Sequence, residues 1–112
     1  MAEIIPGIHW LKLPSSLAES TLQHVNAYLV QGDSGYLLID TGWDSDKTFD
    51  SLQKQLAEIG AYVKDISQIV ITHVHIDHYG LAGRLTHLSG AELAFHEAER
   101  RYFESLYTNR DI

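Results

Sequence analysis

The sequence predicts an α/β domain built as a mixed sheet with helices on one face. Three observations predict it. Apolar runs of strand length alternate with stretches whose apolar residues recur every three or four positions. Two of the strand-like runs meet across Gly32-Asp33-Ser34-Gly35, the composition of a hairpin turn. The alternation that follows the hairpin implies helices covering one face of the sheet. At 112 residues the chain fits one domain at most, and 45% hydrophobic against 21% charged residues excludes a disordered chain or a collagen-like repeat.

The elements follow in order. Pro6 and Pro14 bracket an apolar run, Ile8 to Leu13, that reads as a first strand, and the polar stretch Ser15 to Gln23 reads as a loop. Val25 to Gln31 and Tyr36 to Ile39 form the hairpin, which stops at Asp40-Thr41-Gly42. Phe49, Leu52, Leu56 and Ile59 then mark one face of a helix, with Asp44 or Ser45 to cap it and Gly60 to end it. After Val63 and Ile66, the continuous run Ile69-Val70-Ile71 suits a buried strand. A second helix carries Leu81, Leu85 and Leu88 and stops at Ser89-Gly90, with Gly83 inside it to permit close backbone packing. Ala91 to Phe95 resembles a short strand, and from Glu97 onward Tyr102, Phe103 and Leu106 suggest a third helix. The order is β, β-β, α, β, α, β, α. A sheet so covered leaves its other face bare, including some of Val25, Ala27, Leu29, Leu37, Ile39, Val70 and Ile71. The sequence therefore reads as half of a larger fold, expected to self-associate through the uncovered face.

Fifteen acidic against eight basic residues give a formal charge of -7, so the basic footprint of a nucleic-acid binder is absent. Zero cysteines remove disulfide frameworks, thiolate metal sites and cysteine nucleophiles. The first residues show no signal-peptide pattern, and no apolar run approaches the ~20 residues of a membrane span. The expectation is a soluble cytoplasmic chain acting on a small molecule, with neither nucleic acid nor membrane as partner.

Histidine is the anomaly. Of seven histidines, three fall within Thr72-His73-Val74-His75-Ile76-Asp77-His78, where the buried strand gives way to the second helix. On an extended segment His73 and His75 point the same way. Asp77 and His78 follow at once, so four metal-capable side chains leave one strand end. Imidazole with carboxylate suits zinc, iron or manganese. At this chain's own residue frequencies such a string arises by chance roughly 0.002 times. The plainer alternative is a polar loop of solvated histidines. Downstream, His87 suits a solvated helix face, whereas His96 follows the last strand and is a weaker metal candidate. His9 and His24 lie at early strand edges and are candidates to border a cleft, and Trp10, Trp43 and Tyr79 are candidates to line a pocket. Arg100-Arg101 is too short a basic run to indicate nucleic acid.

Val25-Asn26-Ala27-Tyr28-Leu29-Val30, Leu38-Ile39-Asp40-Thr41-Gly42 and Val70 to Gly80 together resemble the metallo-β-lactamase superfamily, closest to its glyoxalase-II-like branch of general hydrolases. The resemblance implies the N-terminal half of an α/β/β/α sandwich, a single partial domain over residues 1–112 with the second half absent. It implies that His73 and His75 bind one metal and that Asp77 and His78 bind a second, two zincs per complete domain, with iron or manganese as substitutes. It further implies a metal-bound hydroxide as nucleophile, with Asp77 steering its proton as the catalytic carboxylate. The bond hydrolysed is an ester, thioester, lactone, amide or phosphodiester. The later histidine, bridging aspartate and final histidine of the family have no counterpart here, so the 112-residue piece is expected to be inactive. Neither His9 nor His24 matches a family ligand. Asp40 has two readings: it orients a ligand histidine, or it simply forms the turn before Thr41-Gly42. The rival functions are a non-catalytic metal-binding or interaction half-domain and an iron-dependent oxidoreductase resembling a persulfide dioxygenase.

Overall fold

A computed structural model describes residues 2–14, 24–72, 79–98 and 101. Six strands form one mixed sheet whose spatial order is the order of the sequence. They are β1 (Ala2–Ile5), β2 (Ile8–Pro14), β3 (His24–Gly32), β4 (Gly35–Ile39), β5 (Ile66–Ile71) and β6 (Glu92–Phe95). Strands β1 to β4 pair antiparallel, and β5 and β6 add in parallel. The parallel additions need crossovers. Helix α1 (Asp46–Ala57) supplies the first and α2 (Ala82–Ser89) the second. Both crossovers step the same way across the sheet, and connections of one hand then place both helices on the same face.

The local chemistry explains the element ends. Ser45 Oγ accepts the Thr48 N–H at 3.1 Å and caps α1. At the other end Gly60 takes φ +76°, Gly60 N–H bonds Ala57 O, and Ala61 N–H reaches back to Leu56 O, a Schellman closure. Along β5 an extra residue, Ser67, sits between the pairs Tyr36–Ile66 and Leu37–Gln68. That bulge resets the alternation, so Ile66, Ile69 and Ile71 are all buried.

One core lies between sheet and helices. Leu11, Leu13, Ala27, Leu29, Leu38 and Ile69 meet Leu52 and Leu56 of α1 and Leu85 of α2, each no more than 1% exposed. Truncating any of these leucines to alanine removes about 2–5 kcal/mol. Register settles which residues lie on the opposite face: Trp10, Tyr28, Ile39 and Val70 form one row across it, and Leu37 belongs to the same side. Of the residues expected on the bare face, Leu37, Ile39 and Val70 are there, only half-buried. Val25, Ala27, Leu29 and Ile71 are not: their parity turns them under the helices.

Three further differences stand out. Strand β1 has no precursor in the sequence reading; it pairs with β2 across the Pro6-Gly7 turn. Leu88, in the last turn of α2, is 50% exposed. Gly83 permits no close approach, since a Cβ there meets nothing within 4 Å. Glu97, Ala98 and Arg101 are helical, while Tyr102, Phe103 and Leu106 lie outside the described residues. No helix among the described residues is long and apolar enough to cross a membrane.

Candidate metal centre

The parallel strands β4 and β5 end side by side, and the turn Asp40-Thr41-Gly42 ties those ends together. Asp40 sits at φ +65°, a left-handed conformation that a short polar side chain tolerates better than most. Its N–H donates to Val70 O at 2.8 Å. Its carboxylate, 5% exposed as a residue, accepts twice from Thr72: Oδ1 from the backbone N–H at 2.8 Å and Oδ2 from the hydroxyl at 2.7 Å. A buried carboxylate needs such charge-assisted donors. The described bonds tie the turn after β4 to the residue that follows β5.

Thr41, fully buried, works on the other side. Its Oγ1 accepts the Leu81 N–H at 3.1 Å, and Gly42 O shares the same donor at 3.3 Å. Gly42 itself has φ +83°, and a Cβ there would stand 2.9 Å from Thr48 Cγ2 and 3.1 Å from Leu13 Cδ1. Only glycine fits that approach. Three consecutive residues therefore hold the chain at Thr72, one residue before His73, and at Leu81, three residues after His78. The four predicted ligands His73, His75, Asp77 and His78 lie outside the described residues. Among the described residues no three His, Cys, Asp or Glu side chains gather into a metal-holding group.

The remaining candidates separate. His87 is exposed on α2. His96 is exposed, and its Nδ1 accepts the Ala98 N–H at 3.1 Å, opening the helical residues that follow. His9 is 8% exposed on the helix-covered face, its Nε2 3.9 Å from Glu3 Oε2. His24 is exposed at the start of β3, at the sheet end that bears Thr72. Trp43 packs on the core, and Tyr79 lines an apolar cavity of about 380 Å³ with Ile71, Ala82, Leu93 and Phe95. Thr72 and Thr41, which fasten the flanks of the histidine segment, went unremarked in the sequence. Only Thr41 had a signal, as the middle of the Asp-Thr-Gly string.

The metallo-beta-lactamase superfamily model matches residues 20–111. The chain belongs to that superfamily. Among related metallo-beta-lactamase-fold proteins, a family member from Thermus thermophilus superposes with a TM-score of 0.76 at 36% identity, over 85% of this chain and 30% of its own. A Cronobacter sakazakii metallo-beta-lactamase described by a HARLDQ motif gives a TM-score of 0.70 at 25% identity, over 87% of this chain and 34% of its own. A probable metallo-hydrolase of Bacillus subtilis is 46% identical over 57 residues, which is 51% of this chain and 18% of that protein. The chain thus spans about a third or less of the length of these superfamily members. The expected fold class stands: a mixed sheet of this superfamily's α/β type.

Proposed function

We propose that the chain carries the first metal-binding motif of a metal-dependent hydrolase acting on an ester, thioester, lactone, amide or phosphodiester bond. The observation that supports it is the double fastening of the histidine segment, at Thr72 through Asp40 and at Leu81 through Thr41 and Gly42. A segment pinned at both ends suits ligands that must be held ready for a metal. The donor set fits a divalent metal: three imidazoles and one carboxylate with no thiol, as zinc, iron or manganese accept. His73 and His75 are assigned to one ion and Asp77 with His78 to a second in a complete domain. Bound there, such ions supply an acidified water and Lewis-acid polarisation of a carbonyl or phosphoryl oxygen. Asp77 holds and passes a proton at its carboxylate. Asp40 keeps β4 and β5 in step, so that Thr72 is held at a fixed point where the ligand segment begins.

Four ligands carrying one negative charge are too few to fill two coordination shells. The 112-residue chain is therefore expected to bind at most one zinc, weakly, and to lose it in His75→Ala. Elemental analysis after dialysis is the check, and two tightly held zincs per chain would contradict the assignment. In a chain long enough to turn over a 4-nitrophenyl ester or phosphodiester, His75→Ala and Asp77→Ala are each expected to lower kcat by about a thousandfold or more. Unchanged turnover in both variants would remove the hydrolase reading.

A further inference from the structure

The open face of the sheet is not uniformly apolar. The row Trp10, Tyr28, Ile39 and Val70 crosses it from β2 to β5. Two residues further along each of β2, β3 and the extension of β5 come Lys12, Asn26 and Thr72, and His24 lies two residues beyond Asn26. Lys12, Asn26 and His24 therefore share a face by parity, at the sheet end where the histidine segment begins. They are organised about one ring. Trp10 Nε1 donates to Asn26 Oδ1 at 2.9 Å, which fixes the indole. Lys12 Nζ stands 4.6 Å from the centre of that ring, and the His24 ring lies 6.3 Å away at a tilt of 58°.

What sets this group apart is the gathering of a lysine, an imidazole and an amide about one indole. Lys47, Lys54 and Lys64, like Lys12, have no carboxylate within ion-pair reach among the described residues. Arg84 and Arg101 are paired with Asp46 at 2.9 Å and Glu97 at 3.6 Å. Lys12 has no carboxylate within ion-pair reach among the described residues, and its charge rests on an aromatic face in a chain of net charge -7. On such a background a local cation beside an imidazole attracts small anions. An indole held edge-on by a hydrogen bond offers a flat apolar contact at little entropic cost. Three strand spacings, about 14 Å, separate β2 from β5.

We propose that Trp10, Lys12, His24 and Asn26 form a recognition surface for the anionic end of a small molecule whose adjoining part is flat and apolar. The inference rests on the hydrolase reading in one respect only, that such a molecule is the substrate whose reactive bond lies toward Thr72. Lys12 and His24 hold the carboxylate, phosphonate or phosphate, and the Trp10 ring takes the flat portion.

The test is an NMR titration of the ¹⁵N-labelled chain without added metal, using phenylphosphonate as probe and benzyl alcohol as its neutral counterpart. The Trp10 indole N–H is told from that of Trp43 by its loss in Trp10→Phe. Phenylphosphonate is expected to shift the Trp10 indole saturably, benzyl alcohol is not, and Lys12→Gln is expected to weaken the phosphonate about fivefold. Absence of a saturable shift, an equal response to benzyl alcohol, or unchanged affinity in the Lys12→Gln, His24→Gln double variant would overturn the proposal. Because no metal takes part, these results are independent of the zinc measurements. Failure here leaves the hydrolase reading standing, and failure there leaves this surface standing.

Discussion

At the scale of single residues, Asp40 carries the heaviest structural duty. It accepts two hydrogen bonds from one threonine while occupying a backbone region that alanine resists. Asp40→Ala is expected to lower stability by about 3 kcal/mol, summing a lost charge-assisted pair with the left-handed penalty. Asp40→Gly removes the bonds but not the conformational ease, so its loss should be smaller by about 1 kcal/mol. Urea unfolding of the two variants separates the terms, and equal losses would show that φ contributes nothing. The Asp-Thr-Gly turn was legible in the sequence, because its residue types are those of a tight turn. Its partners were not. Thr72 stands 32 positions from Asp40 and Leu81 stands 40 from Thr41, and no local pattern announces a bond over such spans.

Among the elements, the sequence revealed those with strong period or punctuation. The hairpin across Asp33-Ser34, the Ser45 cap, the Gly60 stop and the Ile69-Val70-Ile71 strand all stand where their residue types place them. Strand β1 was invisible because four residues with Ile4 and Ile5 each 55% exposed carry no burial pattern. Which of Val25, Ala27, Leu29, Leu37, Ile39, Val70 and Ile71 lie on the bare face was not legible, because apolar residues occupy both faces of these strands and only register reveals parity. Two substitutions in the helices measure what their ends and interiors contribute. Ser45→Ala is expected to cost about 1 kcal/mol through the lost α1 cap. Gly83→Ala, entering open space on α2, is expected to add about 0.5–1 kcal/mol. A thermal shift in the opposite direction for Gly83→Ala would mean that a neighbour does press on that helix face.

For the whole molecule, both described helices lie on one side of the sheet, and the other side presents Trp10, Tyr28, Leu37, Ile39 and Val70 only half-buried. We propose that the 112-residue chain in isolation pairs with a second copy through the Leu37, Ile39 and Val70 part of this face, leaving Trp10 outside the contact, since burying apolar area is worth about 25 cal/mol per Å². Leu37→Lys with Val70→Lys is expected to shift the sedimentation coefficient toward that of a monomer while leaving the far-ultraviolet dichroism unchanged. A wild-type chain that sediments as a monomer at micromolar concentration would exclude the pairing. The sheet's strand order has a consequence for biosynthesis. Because each of the described strands after β1 lies beside the one made just before it, each of them finds a completed edge waiting as it emerges. Neighbour-to-neighbour assembly keeps loop closures short along the antiparallel ladder β1 to β4, while β5 and β6 must each wait for a crossover. A nascent chain arrested just past Trp43 on the ribosome already contains β1 to β4, and the rest of the sheet can grow from that hairpin ladder as translation proceeds.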